Sequence, residues 1–363
     1  MRVKLKDITK FSKGTQINGK NLIDDGAYSY LNGGINPSGK WNEFNVAENT
    51  VTISEGGNSS GYVNYMNEAF WCGAHCYYLY DGPKNSKYLY YALKSQQERL
   101  FRIRSGACMP NIKKSDLGNF IIEYEKDEVR QEEVVKVLEK CELLIEDYNK
   151  KLTLLDEAVR ARFVEMFGDP VINSCQFPVQ PMTDICDIID GDRGKNYPKS
   201  EEILDDGYCL FLNAKNVTQK GFDFENCNFI TREKDDALRN GKLSRGDVVL
   251  TTRGTVGNLA YYSKNVPYEN IRINSGMVIL RMNRSILNEI YFIELFKMKL
   301  SDIKEKIASG SAQPQLPIST MNKIILMIPP LELQNQFASF VQEIDKSRLL
   351  SNHSLLLLKS IIF

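Results

Sequence analysis

Two segments of this chain lay backbone amides open beside small polar side chains. Val51-Thr52-Ile53 runs into Ser54-Glu55-Gly56-Gly57-Asn58-Ser59-Ser60-Gly61-Tyr62, and Val248-Val249-Leu250 runs into Thr251-Thr252-Arg253-Gly254-Thr255-Val256-Gly257-Asn258. A strand ending in a glycine-containing polar loop brings N–H groups close to a phosphate or a base edge. Turn chemistry accounts for either loop taken alone. Recurrence at the same place in two halves of the chain is what favours binding.

Basic, amide and aromatic residues interleave around both loops. Arg and Lys neutralise phosphates, while Arg, Asn and Gln read base edges bidentately. Candidate contacts in the first half are Lys10, Lys13, Lys40, Trp41, Gly57, Asn58, Ser59, Ser60, Tyr62, Arg102, Arg104 and Asn111. In the second they are Arg193, Lys195, Arg253, Thr255, Asn258, Arg272 with Asn274, Ser309, Gln313 and Gln315. For any one of these, a solvated surface charge is the plainer explanation.

Catalytic signatures fail on inspection. Gly14-Thr15-Gln16-Ile17-Asn18-Gly19-Lys20-Asn21 imitates a phosphate-binding P-loop, but Asn21 stands where a Ser or Thr would hold magnesium, and no strong apolar strand precedes it. There is no G-x-G-x-x-G after a strand, no N-P-P-Y or D-P-P-Y, and no Pro-Asp dipeptide of the nuclease kind. Glu201-Glu202 and Asp205-Asp206 read as a solvated face. The eight cysteines include no C-x-x-C pair, and Cys72 and Cys76 flanking His75 suit an apolar strand better than a metal site. The expectation is a chain with no catalytic residue, no metal and no bound cofactor.

The elements that carry the loops follow from charge and periodicity. Residues 1–120 hold 15 basic and 10 acidic groups, 121–170 hold 8 and 14, 171–330 hold 20 and 19, and 331–363 hold 3 and 3. In the acidic segment, Val134, Leu138, Cys141, Ile145, Tyr148, Leu152, Leu155 and Val159 recur in alternating steps of four and three, the seam of a coiled coil. No proline interrupts Glu128 to Phe167, and Gly168-Asp169-Pro170 is a helix stop. The pattern returns 203 positions later as Phe337, Val341, Ile344, Arg348, Ser351, Leu355, Leu358 and Ile362, with one polar layer at Arg348 and Ser351. A full antiparallel overlap sets that layer opposite Ile145 and Tyr148.

The segments ahead of the helices correspond as well. Arg104-Ser105-Gly106-Ala107-Cys108-Met109-Pro110-Asn111-Ile112 matches Ala308-Ser309-Gly310-Ser311-Ala312-Gln313-Pro314-Gln315-Leu316. Each follows an amphipathic helix, expected over 87–103 and 288–307, and precedes an apolar run. Leu5-Lys6-Asp7-Ile8 likewise resembles Met182-Thr183-Asp184-Ile185. The chain reads as a tandem α/β duplication with boundaries at 1–125, 126–170, 171–330 and 331–363.

With 363 residues, 42% of them hydrophobic, there is enough chain for two cores. Lys plus Arg balance Asp plus Glu at 46 each, so the whole-chain charge argues for neither nucleic acid nor membrane. No run of eighteen apolar residues exists, and Met1-Arg2-Val3-Lys4 leads into patterned sequence rather than a signal peptide, so a cytoplasmic protein with reduced thiols is expected.

These residues resemble a known family. Leu155-Asp156-Glu157, then Arg162-Phe163-Val164-Glu165-Met166-Phe167-Gly168-Asp169-Pro170, resemble the close of the first spacer helix in specificity subunits of type I restriction-modification enzymes. Ser309 to Leu316 followed by Ile328-Pro329-Pro330-Leu331-Glu332-Leu333-Gln334 is similar to that family's passage from recognition module into spacer helix. Leu243 to Gly254 resembles the core strand of its target recognition domains. The resemblance implies two tandem target recognition domains, each followed by a long helix, the two helices pairing as an antiparallel coiled coil. It implies a non-catalytic reader of double-stranded DNA, each domain taking one half of a bipartite, asymmetric site. The helices would set the spacing and dock two methyltransferase subunits. S-adenosylmethionine, ATP and magnesium would belong to those subunits and to an ATP-driven motor and endonuclease subunit. The second helix departs from the pattern by stopping at Phe363 without an equivalent of Met166-Phe167-Gly168, and reads as a shortened arm. A coiled-coil protein scaffold, or a methyltransferase or nuclease with unfamiliar motifs, remains the alternative.

Overall fold

Short runs of β-branched and aromatic residues punctuated by Gly, Asn and Ser build small sheets, and the two long heptad segments build helices. The computed structural model describes residues 1–106, 108–308 and 315–362. It divides into two compact units, Met1–Leu152 with Leu350–Phe363, and Thr153–Leu349.

In the first unit a four-stranded antiparallel sheet runs in the order Lys10–Lys13, Cys76–Tyr80, Thr50–Ser54, Val63–Met66. A second sheet orders Gly39–Trp41, Tyr28–Leu31 and Phe70–Cys72, the last two parallel. Arg2–Lys4 pairs with Ile121–Glu123. The second unit repeats this order. Its four-stranded sheet is Cys186–Asp190, Met277–Met282, Val248–Thr251, Leu259–Tyr261. Its three-stranded sheet is Phe229–Ile230, Cys209–Leu212, Ile271–Ile273, again with the last two parallel. Val179–Pro181 pairs with Ile325–Met327. The duplication expected from the offset motifs is a duplication of topology.

The strands leading into the two glycine loops sit inside their sheets. Val51, Thr52, Ile53 and Ser54 are all buried, and so are Val248, Val249, Leu250 and Thr251. Covered on both faces, such strands lose the apolar–polar alternation of a half-exposed sheet. A rigid base for each loop is the result.

The amphipathic helix expected over 87–103 is two pieces, Ser86–Lys94 and Gln97–Arg102. The Ser95 hydroxyl donates to the Ala92 carbonyl at 3.1 Å, competing with the helical ladder at the break. Its counterpart, Glu289–Ala308, is continuous.

The central helix spans Glu128–Phe167 and the C-terminal helix Leu331–Ile362. Seven of the eight seam residues of the central helix are buried or half-buried, all but Val134, and so are all eight of the C-terminal helix. The helices pair antiparallel. In the second unit Phe163 meets Phe337 edge-on at 5.4 Å and Asp156 meets Arg348, while in the first unit Cys141 clusters with Ile362 and Tyr91. Arg348 therefore faces Asp156, not Ile145 and Tyr148. The register lies about two helical turns from full overlap, because Phe337 is locked into an aromatic group with Phe163, Phe167 and Tyr291.

Candidate nucleic-acid interface

Each glycine loop is built from its buried strand outward. In the first unit the Glu55 amide donates to the His75 carbonyl, the Gly57 amide to the Pro110 carbonyl, and the Gly61 amide back to Ser54. In the second, the Thr252 amide donates to Gly276 and the Gly257 amide back to Thr251. The Ile112 amide donates to the Glu55 carbonyl just as the Leu316 amide donates to that of Thr252. The two segments matched by sequence offset thus hold the same edge of the two loops.

Gly57 and Gly254 sit at the loop tips with φ of 79° and 72° and face open space. That backbone conformation, not crowding, calls for glycine there. The following amides, of exposed Asn58 and Thr255, donate to no group among the described residues. In both units, then, an uncommitted N–H sits at the exposed tip of a rigidly based loop.

In the first unit, Lys13 lies at the loop end of its strand, where its ammonium pairs with Glu55 at 2.6 Å and His75 Nδ1 approaches the other carboxylate oxygen at 3.4 Å. Arg104 donates to the Asn58 carbonyl at 3.3 Å and to that of Phe101 at 2.7 Å. Arg102 is exposed, and exposed Asn111 takes the Ser105 hydroxyl at 3.1 Å. Lys10 is at the far end of the same strand as Lys13, paired with Asp81, so the structure does not bring it to the loop. Lys40 and Trp41 occupy the edge strand of the other sheet, with Trp41 edge-on to Trp71.

Three residues of this set support the loop from beneath. Ser60 is fully buried and its hydroxyl donates to the Glu55 carbonyl at 2.8 Å. The Ser59 hydroxyl donates to Gly33 at 2.6 Å. Tyr62 covers the ammonium of Lys94, 3.7 Å from its ring centroid. Lys94 donates to the Val63 carbonyl at 3.0 Å, and burial pushes its pKa down to about 8. Gln97 clamps the same turn, donating to Gly61 and accepting from the Val63 amide. A short loop must satisfy its own buried polar groups, and the nearest hydroxyls and amides are used for that. Neither Lys94 nor Gln97 carries a sequence signal beyond its place on an amphipathic helix.

In the second unit, Arg193, Arg253 and Gln315 line a cleft of about 250 Å³ together with Asp190. Arg193 is held by Asp190 at 3.1 Å. Arg253 is exposed, and among the described residues its guanidinium has no partner. Lys195 is likewise exposed and unpaired among the described residues. Thr255 and Asn258 line a second cleft, of about 590 Å³. The Asn258 amide group donates to the Val217 carbonyl at 2.8 Å, and Asn274 accepts from the Gly276 amide, so both brace the loop from inside. Ser309 and Gln313 lie outside the described residues.

Arg272 does not belong to this surface. It is 5% exposed, forms an ion pair with the fully buried Asp235, and donates to the carbonyls of Asn240, Asp235 and Leu238. All its fork is used inside the fold. Sequence proximity to Asn274 suggested a basic contact, but Arg272 sits on a strand, Ile271–Ile273, whose three residues are all buried.

Cys72 and Cys76 are buried while His75 is exposed, so the three do not converge, and among the described residues no group of three or more His, Cys, Asp or Glu side chains is arranged for a metal.

Two copies of one α/β fold, each presenting a glycine-tipped loop, with two long helices paired along a heptad seam, define a tandem two-module protein. The family comparison agrees. The model of the type I restriction modification DNA specificity domain matches residues 1–155 and 177–359, and the chain belongs to that family. It is 28% identical over 353 residues to a protein of Mycoplasma genitalium named as a type I specificity subunit, covering 92% of this chain and 84% of that one. A Mycoplasma pneumoniae protein named in the same way is 26% identical over 357 residues, covering 94% and 88%. The crystal structure of a type I restriction-modification S subunit from M. genitalium superposes with a TM-score of 0.60 at 22% identity, over 100% of this chain and 93% of that one. The role is that of a type I specificity subunit, which is non-catalytic. Among the described residues, no helix is long and apolar enough to cross a membrane.

Proposed function

We propose that this chain reads a bipartite, asymmetric sequence in double-stranded DNA, one half per recognition domain, within a type I restriction-modification complex. The central and C-terminal helices set the distance between the half-sites and dock two methyltransferase subunits. S-adenosylmethionine, ATP and magnesium serve the methyltransferase and motor subunits, and the complex works in the cytoplasm.

One observation carries this reading. The same fold occurs twice, and in each copy the same loop presents an amide uncommitted among the described residues, at Asn58 or Thr255, just past a glycine of positive φ. Its recurrence beside exposed cations suits a paired reader of an anionic backbone better than a scaffold that only binds protein. Backbone amides and neighbouring cations such as Arg102 and Arg253 position the duplex, and side chains at the tips read base edges. The 40-residue central helix is about 60 Å long, under two turns of duplex at about 35 Å each.

Exchanging residues 1–120 for another recognition module, in complex with the methyltransferase subunits, tests the proposal. Sequencing of methylated sites should show one half-site changed and the other retained. A change in both halves refutes modular reading, and a complex showing no salt-dependent DNA binding refutes DNA reading altogether.

A further inference from the structure

The second unit carries a β-hairpin that the first lacks. In the first unit seven residues, 32–38, join Tyr28–Leu31 to Gly39–Trp41. In the second, the corresponding connection between Cys209–Leu212 and Phe229–Ile230 is long enough to fold into the paired strands Val217–Thr218 and Gly221–Phe222.

We infer that this hairpin is a second DNA-contacting element of the second domain, with Gln219 reading a base edge and Lys215 and Lys220 holding phosphates. The inference rests on the DNA-reading function proposed above. Three features support it.

First, the hairpin is rigidly mounted. Val217 is fully buried, Phe222 stacks on Phe224 at 5.4 Å, and the buried Asn216 amide group donates to the carbonyls of Asp223 and Asn226. The tip is closed by the Thr218 hydroxyl, which donates to the Gly221 carbonyl and accepts from the Lys220 amide.

Second, it is fixed to the candidate recognition loop. Asn258 at the end of that loop donates to the Val217 carbonyl, and the 590 Å³ cleft between hairpin and loop is lined by Lys215, Gln219 and Lys220 on one side and Thr255 on the other.

Third, its charge is uncommitted. Lys215, Gln219 and Lys220 are exposed, and among the described residues neither lysine has a carboxylate within ion-pair distance. Asp223 at the cleft is the opposing charge, with one carboxylate oxygen taken by the Glu225 amide. Elsewhere in this unit Arg193, Arg239, Arg281 and Arg284 are each held by a carboxylate. Two free ammonium groups flanking a carboxamide beside an open cleft suit a phosphodiester backbone with a base edge within reach.

The test uses the assembled complex with its methyltransferase subunits, a randomised duplex library, and site sequencing. Gln219→Ala should relax one or two positions in the half-site read by the second domain, with about a tenfold loss of discrimination there, and leave the other half and the gap unchanged. The double variant Lys215→Ala/Lys220→Ala should weaken binding to all sequences and reduce the slope of log K against log salt by about 1.8. The side chains are exposed, so unchanged thermal unfolding is the control. If Arg253→Ala relaxes the site while all hairpin variants match the parent in motif, affinity and salt slope, the hairpin inference is overturned and DNA reading stands. If the parent complex itself shows no sequence preference, both fall.

Discussion

Arg348 of the C-terminal helix donates to Asp156 of the central helix at 2.6 Å and to Asp345, one turn back on its own helix, at 2.5 Å. This bridge is the polar layer of the seam. Among the described residues the Arg348 Nε is buried without a partner, so the layer is incompletely satisfied and costs stability. Replacing Arg348 with Leu should leave unfolding stability unchanged or raise it by about 1 kcal/mol, and Asp156→Ala should lower it by no more than about 1 kcal/mol. Denaturant titration checks both, and a loss above 2 kcal/mol in Arg348→Leu contradicts this account.

The buried Asp235 is held by Arg272 and Lys242. Burial by itself would raise its pKa, yet the hydrogen bonds from Lys242 and Arg272, with their charges, keep it below the ordinary 3.8. A depressed carboxylate contributes stability that is complete above the unfolded value and fades as pH falls through the folded one. The second unit should therefore lose stability below about pH 4, and Asp235→Asn should flatten that part of the profile. Arg272→Ala leaves buried Asp235 with Lys242 alone and three backbone carbonyls without their donor, and should cost about 3 kcal/mol. Circular dichroism across pH 2–6 and thermal unfolding at pH 7 measure the two effects; a variant that keeps parent stability but loses DNA binding restores Arg272 to the interface.

The two domains offer contrasting cations. Arg253 is free among the described residues and lies in a cleft beside the loop tip, so Arg253→Ala should relax one base position at a cost of about 1–3 kcal/mol. Lys13 is tied to Glu55, so Lys13→Ala leaves a carboxylate facing the duplex and should weaken binding on every sequence alike. Glu55→Gln should tighten it several-fold. Titration over single-base variants distinguishes these patterns, and uniform loss in Arg253→Ala removes its base-reading role.

Helix length is the remaining lever. Seven residues added after Tyr148, matched by seven after Leu355 on the facing helix, preserve the heptad and should lengthen the unread gap by about 10 Å, or three base pairs. Because the helices are paired, insertion after Tyr148 alone should be less well tolerated. Sites with an unchanged gap after the matched insertion would end the idea that the helices measure distance.

Periodicity and offset were sufficient for the large features: the heptad seams, the duplication, and the two loops beneath Gly57 and Gly254 depend on local pattern, which the chain displays directly. The linear order also carries the family likeness, since its motifs are contiguous. What a side chain does once there depends on neighbours distant in sequence. Arg272 became a core ion pair because Asp235 arrives from 37 residues away, and Lys13 became half-neutralised because Glu55 lies across the sheet. The hairpin tip at Gln219 and Lys220 carries no motif of its own in the sequence; only packing against Asn258 makes it part of the loop's surface. The seam residues likewise fixed that the helices pair, but their register follows the packing of Phe163, Phe167, Tyr291 and Phe337 against one another. Pattern selects elements because it is a property of consecutive residues, whereas charge partners and helix register follow from close packing, which exists only after the chain has folded.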